Sequence, residues 1–207
     1  EITRLCGYLP LAIGMIASQL RHHPAWTSAE VAAELAAARD RLALMHAENL
    51  SVAAAFDLSY ADLTDGQQRL FRRLGLIPGP TFDAYASAAL NGVSLGQARR
   101  QLDELYDQHL ITEPAPGRYQ LHDLLREHAR ALAAVDETAE TDAATERLLD
   151  YYLHTTLAAG RYFDTWAITF RQQPPGNPRA QAPDLSTLPQ AAAWLEAERA
   201  SLHAAAN

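Results

Sequence analysis

Apolar positions along the chain recur first at helical spacing. From Leu9 to Leu20 they fall at Leu9, Ala12, Ile13, Ile16, Ala17 and Leu20, with Pro10 tolerable in a first turn. Thr27 followed by Glu30 is a capping-box pair, which predicts a helix from Ser28 to about Arg39. A further helix is expected from Ser51 to Leu63, with Ala54, Leu58, Ala61 and Phe56 facing inward. The opening third therefore reads as a small helical bundle.

The pattern then changes. Asp65 is expected to cap a helix that buries Leu70, Phe71 and Leu74 and turns Arg69, Arg72 and Arg73 to water. The turn from Gly75 to Gly79 ends it, because Gly and Pro continue a helix only at a cost. Phe82 to Leu90 reads as a short helix closed by Asn91-Gly92. Ser94 then caps another, with Leu95, Ala98, Leu102, Leu105 and Tyr106 on one stripe. After Leu110 the period switches to two, across a Pro-Ala-Pro-Gly turn at 114–117, and Arg118 to Leu121 forms the return strand. A helix from about Asp123 to Ala134 follows. Three helices and a hairpin are the layout of a winged helix. An acidic linker from Asp136 to Asp142 leads to a longer helix at about 144–162, then a Pro- and Gln-rich loop at 171–189, then a final helix at 190–206. The expected fold class is mainly α: a helical domain at 1–63, a winged-helix domain at 64–135, and a helical linker at 136–207 that opens a TPR-like sensor region.

Composition narrows the function. The chain has 207 residues and a net charge of -8, and all 17 basic residues are Arg. Residues 62–135, the winged-helix region, carry 9 acids against 8 bases, so no region is basic enough for the electrostatic term of nucleic-acid binding. The longest apolar run, Leu9 to Ala17, is broken by Gly14 and falls short of the roughly 20 residues a membrane span needs. One cysteine, Cys6, rules out an internal disulfide framework, suits a reducing cytosol, and fits a small buried residue. A first residue of Glu1, with an amphipathic pattern already running, reads as a fragment of a longer chain.

With no Lys, a G-x-x-x-x-G-K-[ST] phosphate loop cannot exist here, so catalysis by this chain alone is not expected. His122 and His128 are six apart and no H-E-x-x-H occurs, so no metal is expected. From the residues alone, Pro10 is either an ordinary first-turn proline with Leu9 and Leu11 in the core, or a rigid apolar face suited to an adenine ring beside amides suited to a phosphate. His122, with Asp123 after it as the expected N-cap, is either a capping pair or an imidazole that can donate to an anion.

Four segments carry a family resemblance. Cys6-Gly7-Tyr8-Leu9-Pro10-Leu11-Ala12-Ile13 resembles the "GLPLA" motif of the NB-ARC signalling ATPases, of the STAND class. Tyr119 to Arg126, centred on Leu121-His122-Asp123, resembles that family's "MHD" motif with Leu for Met. Phe56 to Leu63 is similar to the "SY..L" segment before the family's winged helix, and Ala192 to Arg199 to the start of the C-terminal region in actinobacterial members. The resemblance implies an ADP/ATP-controlled switch. Pro10 and Leu11 would contact the nucleotide from the helical side, and His122 would reach the β-phosphate of ADP. Gly7 and Asp123 would serve as switch and capping positions, and Gly14 would lack the side chain that touches nucleotide in some members. The nucleotide would bind only together with an upstream ATPase core. The other implied partners are downstream sensor repeats and, on activation, further copies of the protein. Many actinobacterial members regulate secondary metabolism and carry a separate DNA-binding domain.

Two other readings stay open. The helix from Ser94 to His109 could be a DNA-recognition helix using Arg99 and Arg100, though Asp103, Glu104 and Asp107 on the same helix oppose a polyanion. The chain could also be a helical scaffold, with 190–206 starting a repeat stack.

Overall fold

The computed structural model describes residues 1–44, 50–163 and 180–206. It is mainly helical, with one two-stranded antiparallel sheet. Four helices open the chain: α1 (Ile2–Leu5), α2 (Pro10–His22), α3 (Ser28–Leu44) and α4 (Leu50–Ala61). The expected Thr27 box is present, with the Thr27 amide donating to Glu30 Oε2 at 2.8 Å and the Glu30 amide to Thr27 Oγ1 at 3.2 Å. Leu5, Cys6, Ala12, Ile16, Val31, Leu35 and Ala54 pack into one apolar cluster, so Cys6 is the buried small residue its neighbours suggested. Ala61 is exposed, against expectation, because the buried face of α4 runs through Ala54, Ala55, Phe56 and Ser59 instead.

The next elements are α5 (Asp65–Leu74), α6 (Ala84–Asn91), α7 (Leu95–Asp107), the hairpin β1 (Thr112–Ala115) and β2 (Arg118–Gln120), and α8 (Asp123–Ala133). This is the expected three helices and a wing, and Phe82 adds a rung to it by pairing with Tyr119 in both directions, at 2.9 and 2.7 Å. Three local expectations need correction. Thr64, not Asp65, caps α5, since its hydroxyl and the Gln67 side chain satisfy each other's amides in a complete box. Arg73 is buried: its guanidinium bonds the Asn91 side-chain oxygen at 2.9 Å and lies 3.5 Å from Glu140. Tyr106 is 46% exposed and lies outside the α7 stripe, which Leu95, Ala98, Leu102 and Leu105 fill.

The chain then forms α9 (Thr138–Gly160) and α10 (Leu188–Ala205). The acidic segment expected as a linker is helical from Thr138, and Asp136 before it pairs with Arg72 at 2.8 Å. Residues 171–179 of the expected loop lie outside the described residues, and 180–187 are non-helical. Neither late helix stands apart. Leu148, Tyr151, Tyr152 and Trp194 join the same apolar cluster as Phe71, Leu90, Leu102 and Leu125 of the winged helix. Met15 and Phe56 reach that cluster from α2 and α4, which thus face two cores at once.

Gly92 closes α6 in the left-handed region, at φ +68, and a Cβ there would sit 3.2 Å from Arg147 Nε. Arg147 donates to the Ala89 and Leu90 carbonyls at 3.2 and 3.0 Å, so it cannot easily give way. Gly92→Ala should lower stability by about 1–2 kcal/mol in a thermal melt through the left-handed penalty and this crowding together. Gly117→Ala, at φ +71 with open space around it, isolates the backbone share.

Candidate functional site

His122 lies where the wing gives way to α8. Leu121 is fully buried and anchors the strand end, and the next residue turns out to solvent in an extended conformation, φ -60 and ψ 145. His122 itself is the N-cap: its Nδ1 accepts from the Leu124 amide at 3.4 Å. Asp123 was expected to cap and is instead the exposed first residue of the helix, where a carboxylate still suits the dipole. The cap bond uses the Nδ1 lone pair. A neutral ring with Nδ1 accepting carries its proton on Nε2, which can then donate to an anion.

The body of α8 is held firmly behind this imidazole. One turn on, Arg126 donates to the Ile77, Gly79 and Pro80 carbonyls at 3.1, 2.9 and 2.9 Å. Arg130 donates to Gly75 O at 2.8 Å, and a Cβ on Gly75 would meet the Arg130 backbone nitrogen at 2.9 Å. Burial and the neighbouring Arg130 pull the Arg126 guanidinium below its ordinary value.

Pro10 is the first residue of α2, after an extended Leu9, and no side chain caps this helix end. Before it, Gly7 and Tyr8 are both left-handed, at φ +62 and +59. Glycine adopts that geometry freely. Tyr8 does not, and it stands 69% exposed beside the exposed Leu9 and Pro10. Leu11 is half-buried and packs on the larger core, to which Leu124 also belongs as a bordering residue. Both Pro10 and His122 are thus exposed residues at helix N-termini, and no hydrogen bond or ring contact joins them directly.

Polar contacts join the helical bundle to the winged helix, among them Gln68 Nε2 donating to the Tyr60 carbonyl at 3.0 Å and Arg72 donating to the Tyr60 hydroxyl. Ser18 Oγ donates to the Asp107 carbonyl at 2.7 Å, and Arg21 lies 3.5 Å from His109 Nε2. Gly14 faces the His109 ring: a Cβ there would be 3.7 Å from it. Deeper, His128 of α8 sits among Phe56, Tyr60 and Phe71, at ring separations of 5.6, 6.4 and 6.4 Å, and 3.6 Å from Asp57 of α4. Burial pushes the His128 imidazole below its ordinary value, against the raising effect of Asp57. The sequence marks Phe56 and Phe71 as core residues but gives Ser18, Arg21, His109 and His128 no part in joining the two domains. Their only signal was chemical type at unremarkable positions.

A second polar centre was also missed. Arg118 of β2 pairs with Glu198 of α10, which is 0% exposed, and its guanidinium also donates to Thr81 Oγ1 at 2.8 Å and the Ala197 carbonyl at 3.3 Å. Asp83 caps α6 nearby by accepting from the Ala86 amide at 2.8 Å. Burial, and then Glu198, push its carboxyl up to about 6, against the opposing pull of that amide and of Arg118. A groove of about 820 Å³ runs between α9 and α10, its lining including Leu149, Leu153, Leu157, Leu195 and Leu202.

On α7, Arg99 and Arg100 are exposed, but so are Asp103, Glu104 and Asp107, and Glu104 accepts from Gln67 at 2.8 Å. Among the described residues no cluster of three or more His, Cys, Asp or Glu could hold a metal ion. Among those residues, too, no helix is long and apolar enough to cross a membrane.

No family model matches the chain, and no solved structure matches it. Two curated proteins do. The chain is 43% identical over 164 residues to the regulatory protein AfsR of Streptomyces griseus, a match covering 78% of this chain. It is 42% identical over 167 residues, again 78% of this chain, to the regulatory protein AfsR of Streptomyces coelicolor. The chain is therefore similar to one segment of these regulatory proteins and spans 17% of their length.

Proposed function

We propose that this chain is the nucleotide-responsive switch segment of a transcriptional regulator of the NB-ARC type. The observation that carries the reading is the state of His122. Its Nδ1 accepts from the Leu124 amide, which leaves Nε2 as the ring's donor on an exposed residue at the start of a helix whose body is fixed by Arg126 and Arg130. Such an imidazole can bind an anion without reorganising itself. The uncapped start of α2 at Pro10 supplies a second anion-compatible terminus with an apolar ring beside it. These residues suit a nucleoside diphosphate: His122 and the Leu11 amide for phosphate oxygens, Pro10 for the base. The likeness to regulatory proteins over most of the chain supports the regulatory role.

The nucleotide would bind together with an ATPase core upstream, and the nucleotide state would set whether the winged helix stays against the helical bundle. A ligand shifts such an equilibrium only by its differential affinity for the two arrangements. One charge-assisted hydrogen bond contributes about 1.5–3 kcal/mol, a bias of roughly ten- to hundredfold. Released from the bundle, the winged helix would allow assembly with further copies, while sensor repeats downstream would supply the stimulus.

The test uses a longer version of the protein that includes the upstream core. It should co-purify with ADP, and His122→Ala should weaken ADP retention by about ten- to hundredfold and raise basal transcriptional output. Unchanged retention and output in a well-folded His122→Ala protein would defeat the reading. Salt-sensitive binding of duplex DNA by the 207-residue chain would instead favour the exposed Arg99 and Arg100 of α7 as a recognition surface.

A further inference from the structure

The last helix is built to hold the wing. Ala191, Trp194, Glu198 and Ser201 are the buried residues of α10, at spacings of three and four that keep them on one face. Trp194 meets Tyr151 of α9 edge-on at 6.4 Å. Glu198 reaches through to Arg118 of β2, four residues before His122. At Ser201 the approach is closer still: a Cβ on Gly79 would lie 2.0 Å from Ser201 Oγ, so only glycine lets α10 lie down on the 77–80 loop.

That loop is the one whose carbonyls, at Ile77, Gly79 and Pro80, are gathered by Arg126. Contacts therefore run unbroken from α10, through Gly79 and Arg118, to both sides of His122: to α8 through Arg126, and to the strand before it through β2. The connection is also close to all-or-none. Glu198 is fully buried, and its Oε2 has no hydrogen-bond partner, so Arg118 carries its compensation. A small slide of α10 would leave a buried charge uncovered, and the helix is favoured either fully seated or fully released.

We propose that α10 is a lever on the wing: seated through Glu198–Arg118 and Ser201–Gly79, it sets the position of the His122 cap, so that release of α10 loosens the start of α8. The functional weight of this coupling rests on the reading of His122 above. The coupling itself needs no nucleotide, so it holds or fails separately from ADP retention.

The experiment is residue-resolved amide hydrogen exchange on the 207-residue chain, with the His122 ring signals followed alongside. Gly79→Ala sets a methyl against Ser201 on the α10 side of the loop and leaves the chemistry of the Gly79 carbonyl that Arg126 holds on the α8 side unchanged. It should accelerate exchange at the Leu124 and Arg126 amides, which bond to His122 Nδ1 and His122 O, by tenfold or more, and shift the His122 ring signals. Adding Ser201→Gly removes the Oγ and Cβ that the new methyl would meet at 2.0 and 2.9 Å, leaving only the 3.0 Å approach to the Cα of residue 201, and should bring both most of the way back to the native values. Should Gly79→Ala fail to fold, Glu198→Gln, which keeps the shape and removes the charge, is expected to show the same pattern. The proposal is overturned if α10 amides respond while Leu124, Arg126 and the His122 ring stay native. It is equally overturned if exchange rises uniformly along the chain, or if the double variant reseats α10 but leaves the α8 start perturbed.

Discussion

Arg118→Ala is expected to destabilise the chain by about 3–5 kcal/mol, one of the largest losses any single polar substitution should produce here. The reason is not the strength of the ion pair. Glu198 is 0% exposed, and removing its cation strands a carboxylate where water does not reach. The Thr81 and Ala197 bonds to the same guanidinium go with it. A double variant, Arg118→Met with Glu198→Leu, removes both charges at similar volume and should recover most of the loss, because a buried pair repays little beyond its own desolvation. Urea denaturation at neutral pH measures all three proteins. If Arg118→Ala cost less than about 1 kcal/mol, as exposed pairs do, the burial of Glu198 would be wrong. Arg199–Glu196 on the outer face of the same helix, at 3.8 Å, supplies the exposed control.

This ion pair also marks the limit of what the sequence could disclose. Helices, hairpin and caps were legible because their signals are local: the Thr27–Glu30 box, the Ser94 cap and the turn at 114–117 each lie within a few residues of what they control. The errors at Asp65, Arg73 and Asp123 have two sources. At Asp65 and Asp123 a local signal, the Thr64–Gln67 box and the His122 ring, lies one residue before the acid expected to cap, whereas Arg73 turns on Asn91 and Glu140, which local pattern does not reveal. Arg118 and Glu198 are 80 residues apart, and nothing in either neighbourhood signals the other. Ala-rich α10 reads as a generic amphipathic helix, and only the fold shows that one of its acids faces inward.

The candidate site divides in the same way. His122 and Pro10 could be singled out from motif and position, because a cap after a strand and a proline at a helix start are sequence-level features. The joint that would make them a switch could not. Ser18 against the Asp107 carbonyl, Arg21 against His109, and His128 among Phe56, Tyr60 and Phe71 are pairings across 72 residues or more in most cases, fixed by how two cores share α2 and α4. Polar contacts from Ser18, Arg21, Asp57 and Tyr60 and the apolar contacts of Met15 and Phe56 together tie the bundle to the winged helix. Opening the switch proposed here would break both kinds of contact, and the α10 contact is a separate place from which the winged helix is held.

The pH dependence of stability should carry the signature of Asp83. Its carboxyl is pushed up to about 6, first by burial and then by Glu198, from an ordinary value of 3.8. A carboxyl raised in the folded state favours folding most when protonated. Its contribution is fully present below about pH 4 and is lost as pH rises through about 6. At about 1.4 kcal/mol per unit, the loss between pH 4 and pH 7.5 amounts to at most about 3 kcal/mol, and less for a side chain that keeps some contact with water. Asp83→Asn tests this directly. Asparagine caps a helix as well as aspartate does, so the Ala86 bond survives while the titrating charge disappears. The variant should be more stable than the native chain at pH 7.5, by about 1–2 kcal/mol once the lost dipole interaction is subtracted. The two stability curves should converge as pH falls towards 4. Curves that stay parallel across that range would mean Asp83 titrates normally, and a variant that is weaker at every pH would mean that its negative charge on α6 outweighs the burden of burying it beside Glu198.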